Sequence, residues 1–268
     1  MSKQARRPRH YLNYGLRLIT KTVFYPVTFL PDGSMKNAAR RTLLRLQNSL
    51  PLELALDKGD VGVQVGTPWP RTMKRLRKAV GPDGAIVIIE AEPENFKRLS
   101  DVRDVEGLGN VHIVNYAGWS RDESGELTLS PAFSGDHKIA VDGVSIDNDL
   151  RPENTEMTTV PCEFRRIDTV LAELGIQHID YLSVTVNGAE LEVLKGARGT
   201  LESSPDIRVF SKGHSLTDDN IPINRPIRAF LAELGFKTML TRGEPASADN
   251  TGRRDGDVYA WKAPSDAR

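Results

Sequence analysis

Cysteine is almost absent from this sequence, and its scarcity limits the chemistry that the chain can carry out. Cys162 is the one cysteine among 268 residues. A single thiol can form no internal disulfide and cannot build a cysteine cage for zinc or an iron–sulfur cluster, and we expect no metal site. Proteins without disulfides are typical of reducing compartments, so we expect a cytoplasmic protein.

Long hydrophobic runs are absent as well. A membrane-spanning helix needs about 20 consecutive apolar residues, and the best candidate, residues 11–30, is interrupted by Arg17, Lys21 and Pro26. Its basic start is like that of a secretory signal, but no small-residue cleavage site follows. We predict an amphipathic helix that packs on the body of the protein or lies peripherally on a membrane.

Acidic residues are scarce at the start of the chain. Residues 1–50 contain ten lysines and arginines but one acidic residue, Asp32, whereas the whole chain has 36 residues of each sign. The first 50 residues therefore carry a formal charge of +9, and residues 51–268 carry −9. We interpret residues 1–50 as a basic helical arm and residues 51–268 as the main domain. Such an arm is expected to dock on its own acidic body, to stay solvated or to bind an anionic membrane surface, and nucleic acid is a less suitable partner.

Short apolar strands alternate with helical patterns from residue 56 onward, which is typical of a parallel sheet covered by helices. The last two predicted strands, residues 236–241 and 258–261, have no helical pattern between them and should be antiparallel neighbours. Residues 120–160 contain short strands in polar, turn-rich sequence, and we interpret them as an insertion over one end of the sheet. The other predicted strands cover residues 61–65, 85–89, 111–116, 181–186 and 207–211, and the longest predicted helix covers 189–201.

The ends of the first two strands are the first places to look for a binding site. In an open α/β sheet, ligands bind beyond the carboxyl ends of the strands, where the strand order reverses. The first strand, its turn and the following helix occupy residues 60–75. Glu90 ends the second strand, where a carboxylate can accept two hydrogen bonds from a ribose diol. The alternative for Glu90 is a solvated acid at a strand end.

Several segments follow one another in an order and spacing that indicate a known family. They are Gly81-Pro82-Asp83-Gly84, residues 88–96 (IIEAEPENF), Asn110-Val111, Arg166-Ile167-Asp168 and residues 187–197 (NGAELEVLKGA). Together they resemble the FkbM family of S-adenosylmethionine-dependent methyltransferases. The resemblance covers residues 56–241 and implies an α/β, Rossmann-like class I methyltransferase fold. Such a fold has a mostly parallel seven-stranded sheet with a terminal antiparallel pair.

The resemblance also implies a cofactor, an acceptor and a set of site residues. S-adenosylmethionine would bind at the ends of strands one to three, and the methyl group would pass to a hydroxyl of a sugar, glycan or secondary metabolite. The implied cofactor-binding residues are Gln64, Gly66, Thr67, Glu90, Ala91 and Ala117. The implied catalytic positions are Thr185 and Asn187 after the fourth strand and His214 after the fifth.

The chain departs from the family at positions where the family has acidic residues. The family ends its first strand with Asp-x-Gly-Ala-Asn-x-Gly, and either Asp60 or Gln64 can take the acid position. We favour the alignment without a gap, which selects Gln64. After the fourth strand, Thr185 and Asn187 replace the two acids of Asp-Val-Glu-Gly. Two acids of the following helix, Glu190 and Glu192, are expected on its exposed or capping face.

These replacements leave two functions open. Methyl transfer from a sulfonium depends strongly on positioning, so an enzyme can work with weak acid–base groups. The alternative is a catalytically degenerate methyltransferase-fold protein that acts as a binding or scaffold module. Trp69, in the turn after the first strand, could stack on a ligand or fill the site.

Overall fold

The structure is a computed structural model that describes residues 34–47, 55–67, 69–129, 144–145, 158–213, 216–217, 221–241 and 256–262. The amphipathic helix expected within residues 11–30 and the catalytic candidate His214 lie outside the described residues. Within these ranges, no helix has the length and apolar character that a membrane span requires.

The described strands and helices alternate along most of the chain, as expected. The strands are β1 (Val61–Val65), β2 (Ala85–Ile89), β3 (Val111–Val114), β4 (Ala117–Gly118), β5 (Glu123–Leu129), β6 (Val144–Ser145), β7 (Thr158–Arg165), β8 (Tyr181–Val184), β9 (Arg208–Ser211), β10 (Leu216–Thr217), β11 (Phe236–Leu240) and β12 (Val258–Lys262). The helices are α1 (Ser34–Gln47), α2 (Pro70–Val80), α3 (Pro93–Val105), α4 (Ile167–Glu173), α5 (Glu190–Gly196), α6 (Arg198–Ser203) and α7 (Asn224–Glu233).

The main sheet has the order β11-β12-β9-β8-β1-β2-β3. Its strands are parallel except β12, which runs antiparallel to both β9 and β11. The fold prediction is therefore confirmed, including the terminal antiparallel pair. The strand order reverses at β1, which lies between β2 and β8, so the carboxyl ends of these three strands meet at the switch point.

Helices cover both faces of the sheet, because successive residues of a strand point to opposite faces. On β2, Ile86 and Ile88 pack in one apolar cluster with residues of α2 and α3, whereas Val87 and Ile89 belong to a second cluster with residues of α4 to α7. All four side chains are essentially inaccessible to solvent. This double burial explains why β2 reads as a continuous apolar run.

A small sheet of order β4-β7-β5 packs over the carboxyl edge of the main sheet. Trp119 and Phe164 from this region stack at 5.5 Å between ring centroids and belong to one cluster with Ala189, which follows β8. Ala91, which follows Glu90, packs against the same cluster. The small sheet therefore forms a wall beside the ends of β2 and β8.

Helix α1 docks on the opposite, amino edge of the main sheet through buried ion pairs. Lys36 and Arg40 of α1 both pair with Asp57, and Arg40 Nη2 lies 2.7 Å from Asp57 Oδ2. Arg208 at the start of β9 contacts both Asp57 and Asp60. Burial raises the pKa of Asp57, but the charge of Arg40 and the hydrogen bonds from Lys36 and Arg40 outweigh it and lower the pKa to about 2. This part of the basic arm thus binds the protein's own acidic residues.

Replacing Arg208 by methionine is expected to lower the free energy of unfolding by about 3–5 kcal/mol, because Asp57 and Asp60 would keep buried charge without this partner. Urea unfolding followed by circular dichroism measures the loss. Arg121→Met is the control, because Arg121 is 71% exposed in its pair with Glu123 and its loss should change the free energy of unfolding far less. Equal, small losses in the two variants would contradict a stabilising role for the buried cluster.

Candidate functional site

The carboxyl end of β1 carries Gln64, and Asp60 lies at the other end of the strand. Gln64 pairs in register with Ile88 of β2 and Ser183 of β8, close to where both neighbours end. Asp60 precedes β1 and contacts Arg208 at the amino edge. Of the two candidates for the acid position, Gln64 therefore lies near the switch point and Asp60 lies at the amino edge.

The turn after β1 requires glycine at position 66. Gly66 has φ +73°, and its N–H donates to the carbonyl of Ile89 at 2.9 Å. A Cβ added to Gly66 would lie 2.7 Å from the carbonyl oxygen of Thr185. Thr67 follows it and is buried, while Trp69 is 49% exposed at the start of α2. The Trp69 ring therefore does not fill the interior of the site.

Gln64 and Thr185 hold this turn together as a neutral pair. Gln64 Nε2 donates to Thr185 Oγ1 at 2.7 Å and to the carbonyl of Gly66 at 2.9 Å. The Thr185 hydroxyl donates in turn to the same Gly66 carbonyl. Gln64 and Thr185, which stand where the family has acidic residues, thus connect the end of β1 to the end of β8. Neither an amide nor a hydroxyl can act as a carboxylate base.

Glu90 is buried at the end of β2, directly beside the turn. Its Oε2 accepts a hydrogen bond from the Thr67 N–H at 3.0 Å, and its Oε1 accepts one from the Glu92 N–H at 3.1 Å. Burial raises the pKa of Glu90, and these two hydrogen bonds offset only part of the rise. The Asn95 side chain also hydrogen-bonds Glu90. A carboxylate offers about four acceptor sites, so the group can still accept from a hydroxyl. Burial at 6% exposure excludes the solvated strand-end alternative.

Glu92 has a separate role as the N-cap of α3. Its Oε1 accepts from the Glu94 N–H at 2.9 Å and its Oε2 accepts from the Asn95 N–H at 2.5 Å. These are the exposed donors of the first helical turn, which a capping carboxylate satisfies. Glu92 is therefore engaged with the start of α3, whereas Glu90 is bonded to the turn after β1.

The structure brings most of the predicted site residues to one edge of the sheet. Gln64, Gly66, Thr67 and Glu90 surround the turn after β1, as the preceding hydrogen bonds show. Ala91 and Ala117 belong to the apolar cluster of the small sheet, beside the turn. Asn187 is partly buried after β8.

Glu190 is a residue of this edge that sequence reasoning assigned wrongly. The first residue of α5, it is 1% exposed, and its Oε2 has no hydrogen-bond partner within the described residues. Burial raises the pKa of Glu190 to about 8, although backbone N–H groups and the charge of Lys212 oppose the rise. Glu192, by contrast, is partly exposed and pairs with Lys195 at 2.6 Å. The expectation of an exposed position therefore fails for Glu190, which is buried in the first turn of α5.

A helical pattern in the sequence could have identified this burial. Glu190, Val193, Leu194 and Ala197 stand at positions i, i+3, i+4 and i+7, which line one face of a helix. Val193, Leu194 and Ala197 are fully buried, so the same face carries Glu190 into the interior. The apolar residues three and four positions later were the available signal.

Replacing Gly66 by alanine is expected to cost about 1–2 kcal/mol for the left-handed backbone and a further ~1–3 kcal/mol for the contact with Thr185. Gly59→Ala is the matched control, because Gly59 has φ +88° but a Cβ there would meet nothing within 4 Å. Thermal and urea unfolding of both variants separate the two contributions. Equal losses would show that the turn does not require close approach to Thr185.

Replacing Glu190 by glutamine is expected to stabilise the protein increasingly as the pH rises. The carboxyl ionises near pH 4.5 in the unfolded chain and near pH 8 in the folded protein, so the wild type loses stability between these values. The glutamine variant has no such loss. The difference in the free energy of unfolding between the variant and the wild type should therefore increase by about 4 kcal/mol over this pH range. Urea unfolding across this pH range measures it, with Glu192→Gln as the control. A difference that does not change with pH would show a hydrated Glu190 carboxyl.

Comparison with known proteins agrees with the resemblance seen in the sequence. The family model of the methyltransferase FkbM domain matches residues 60–238. A protein of Sinorhizobium fredii named 2-O-methyltransferase NoeI is 23% identical over 176 residues, which cover 66% of this chain and 63% of that relative's length.

Two solved structures are also similar to this chain. A SAM-dependent methyltransferase from Aquifex aeolicus is 14% identical with a TM-score of 0.36, covering 77% of this chain and 82% of the other. Aeropyrum pernix fibrillarin, in complex with S-adenosyl-L-methionine, is 14% identical with a TM-score of 0.43, covering 84% of this chain and 74% of the other. The family match spans most of the main domain, and this chain belongs to the FkbM methyltransferase family.

Proposed function

We propose that this protein is an S-adenosylmethionine-dependent O-methyltransferase that acts on a hydroxyl of a sugar, a glycan or a secondary metabolite. The observation that carries the proposal is the buried Glu90 carboxylate at the end of β2, hydrogen-bonded to the turn after β1. This is the position at which a strand-end acid accepts hydrogen bonds from a ribose diol in nucleotide-binding α/β sheets.

The residues around the turn fit an adenosine-type ligand. The absence of a side chain at Gly66 brings the main chain close to the end of β8, and Ala91 and Ala117 place only methyl groups beside the turn. Glu90 keeps acceptor capacity for a ribose hydroxyl besides its bonds within the chain. S-adenosylmethionine, when bound, supplies a methyl group on a sulfonium, a good leaving group. The chain then has to position the acceptor oxygen in line with that methyl group.

The proposed hydroxyl acceptor is supported by the name of a related protein. The relative from Sinorhizobium fredii is named as a 2-O-methyltransferase, which supports a hydroxyl acceptor. An anionic membrane surface stays a proposed partner for the basic residues that precede Ser34. The ion pairs of Lys36 and Arg40 support self-docking for the helix that follows.

A specific observation favours the alternative of a degenerate binding module. Gln64 and Thr185 hydrogen-bond to each other where the family has acidic residues, and so neither presents a negative charge to a sulfonium. A protein that had lost its cofactor could keep such a pair for stability alone. Binding of S-adenosylmethionine therefore distinguishes the two functions.

Calorimetric titration with S-adenosylmethionine and S-adenosylhomocysteine tests the proposal. We expect micromolar binding that becomes about 10- to 100-fold weaker in Glu90→Gln, because a charged acceptor of ribose hydrogen bonds is lost. Glu94→Gln is the matched control, since Glu94 lies four residues away with an exposed side chain and should bind as the wild type does. The melting temperature of each variant is measured in parallel, because Glu90 also holds Thr67 and Glu92.

Two results would contradict this function. Failure of the wild type to bind either ligand at millimolar concentration would favour the degenerate module. Unchanged affinity in a folded Glu90→Gln protein would remove Glu90 from the binding site and the proposal would lose its main support.

A further inference from the structure

Glu190 is the buried carboxyl that the proposed cofactor site does not use. It follows β8 at the carboxyl edge of the main sheet, where β9 and β12 also contribute charged residues. Lys212 follows β9 and its N–H donates to the Val184 carbonyl at 3.0 Å. Asp257 precedes β12 and its Oδ1 accepts from the Gly213 N–H at 3.2 Å. Both residues therefore lie beside the end of β8, and their charges act on Glu190.

Stability does not explain a carboxyl at this position. Buried polar atoms in proteins almost always have a hydrogen-bond partner, and exceptions need a reason such as a catalytic role. Glu190 Oε2 has none among the described residues. The charged groups that act on it are Lys212, which favours its ionised form, and Asp257, which opposes it. An apolar side chain of similar size would fill the space without burying polar atoms.

Two other acids near the switch point already have a role, in the proposed cofactor site and in a helix cap. Glu90 accepts from two backbone N–H groups, and Glu92 caps α3. The positions after β1 and β8 where the family has acids carry the neutral Gln64, Thr185 and Asn187. Glu190 is therefore a carboxyl of this edge with hydrogen-bonding capacity left over.

We propose that Glu190 is the catalytic base of the methyl-acceptor site and that its Oε2 takes the proton of the acceptor hydroxyl. The proposal rests on the proposed O-methyltransferase function. The acceptor oxygen donates a lone pair to the new O–C bond, and the C–S bond of the donor breaks with its electron pair left on sulfur. The hydroxyl proton moves to the ionised form of Glu190, directly or through one water, so no other reactant is needed. The positive charge of the sulfonium favours that ionised form.

The test measures the position of Glu190 relative to the reacting centre without an acceptor. The protein is labelled with ¹³C at the glutamate side-chain carboxyls, and Glu190→Gln assigns the resonance of Glu190. Its titration is compared in protein saturated with S-adenosylmethionine and with S-adenosylhomocysteine. These ligands differ in the methyl group and in the sulfonium charge. A positive charge close to a buried carboxylate lowers its pKa, and we expect the midpoint with S-adenosylmethionine to be lower by about one pH unit or more.

The controls separate a catalytic position from a structural one. The Glu192 resonance should titrate alike with both ligands, because Glu192 is partly exposed and paired with Lys195. Glu190→Gln should bind S-adenosylmethionine within about threefold of the wild type, as expected for a group that contacts acceptor rather than cofactor. Glu190→Asp takes its place if the glutamine variant does not fold.

Each contrary result has its own meaning. Equal midpoints with the two ligands, in protein that binds both, would overturn the assignment of Glu190 and leave the proposed function intact. A tenfold or larger loss of S-adenosylmethionine binding in a folded Glu190 variant would make Glu190 a cofactor-site residue and also overturn it. Failure of the wild type to bind either ligand would refute the proposed function, and the role of Glu190 with it.

Discussion

The turn after β1 is held from two neighbouring strands at once, and the geometry of the carboxyl edge depends on this double attachment. On the β2 side, the Thr67 N–H binds the Glu90 carboxylate. On the β8 side, the Gly66 carbonyl accepts hydrogen bonds from Gln64 and Thr185. A turn held at one point keeps rotational freedom, whereas two attachments on opposite sides remove it. The switch point is thereby preorganised before any ligand arrives.

Local patterns in the sequence were sufficient for much of the fold. The strand Ala85–Ile89 was predicted at its observed bounds, because its five apolar residues stand between a glycine-rich turn and an acid. The helix predicted over residues 189–201 proved to be two helices, α5 and α6, with the break at Ala197. A one-residue break leaves the apolar periodicity almost unchanged, so the pattern could not reveal it.

The site was predictable only where its residues stand at strand ends. Glu90 and Gln64 could be placed because β1 and β2 are evident in the sequence. The hydrogen bond between Gln64 and Thr185 joins residues 121 positions apart, and it depends on the pairing of β1 with β8. Glu190 was expected on the exposed or capping face of its helix, and carboxylates are in general rarely buried. The helical spacing to Val193 and Leu194 opposed that general tendency and was the better guide.

Helix α1 and the candidate site lie at opposite edges of the main sheet. Lys36 and Arg40 attach this helix at the amino edge, and Glu90 lies at the other end of the strands, about 16 Å away for a strand of five residues. Under the proposed function, a partner surface that bound at α1 would meet the domain at the amino edge, and the cofactor would bind at the other edge. An acceptor attached to that same surface would have to extend across the domain to reach the proposed site. The proposed function therefore favours an acceptor that is long and flexible or that diffuses freely.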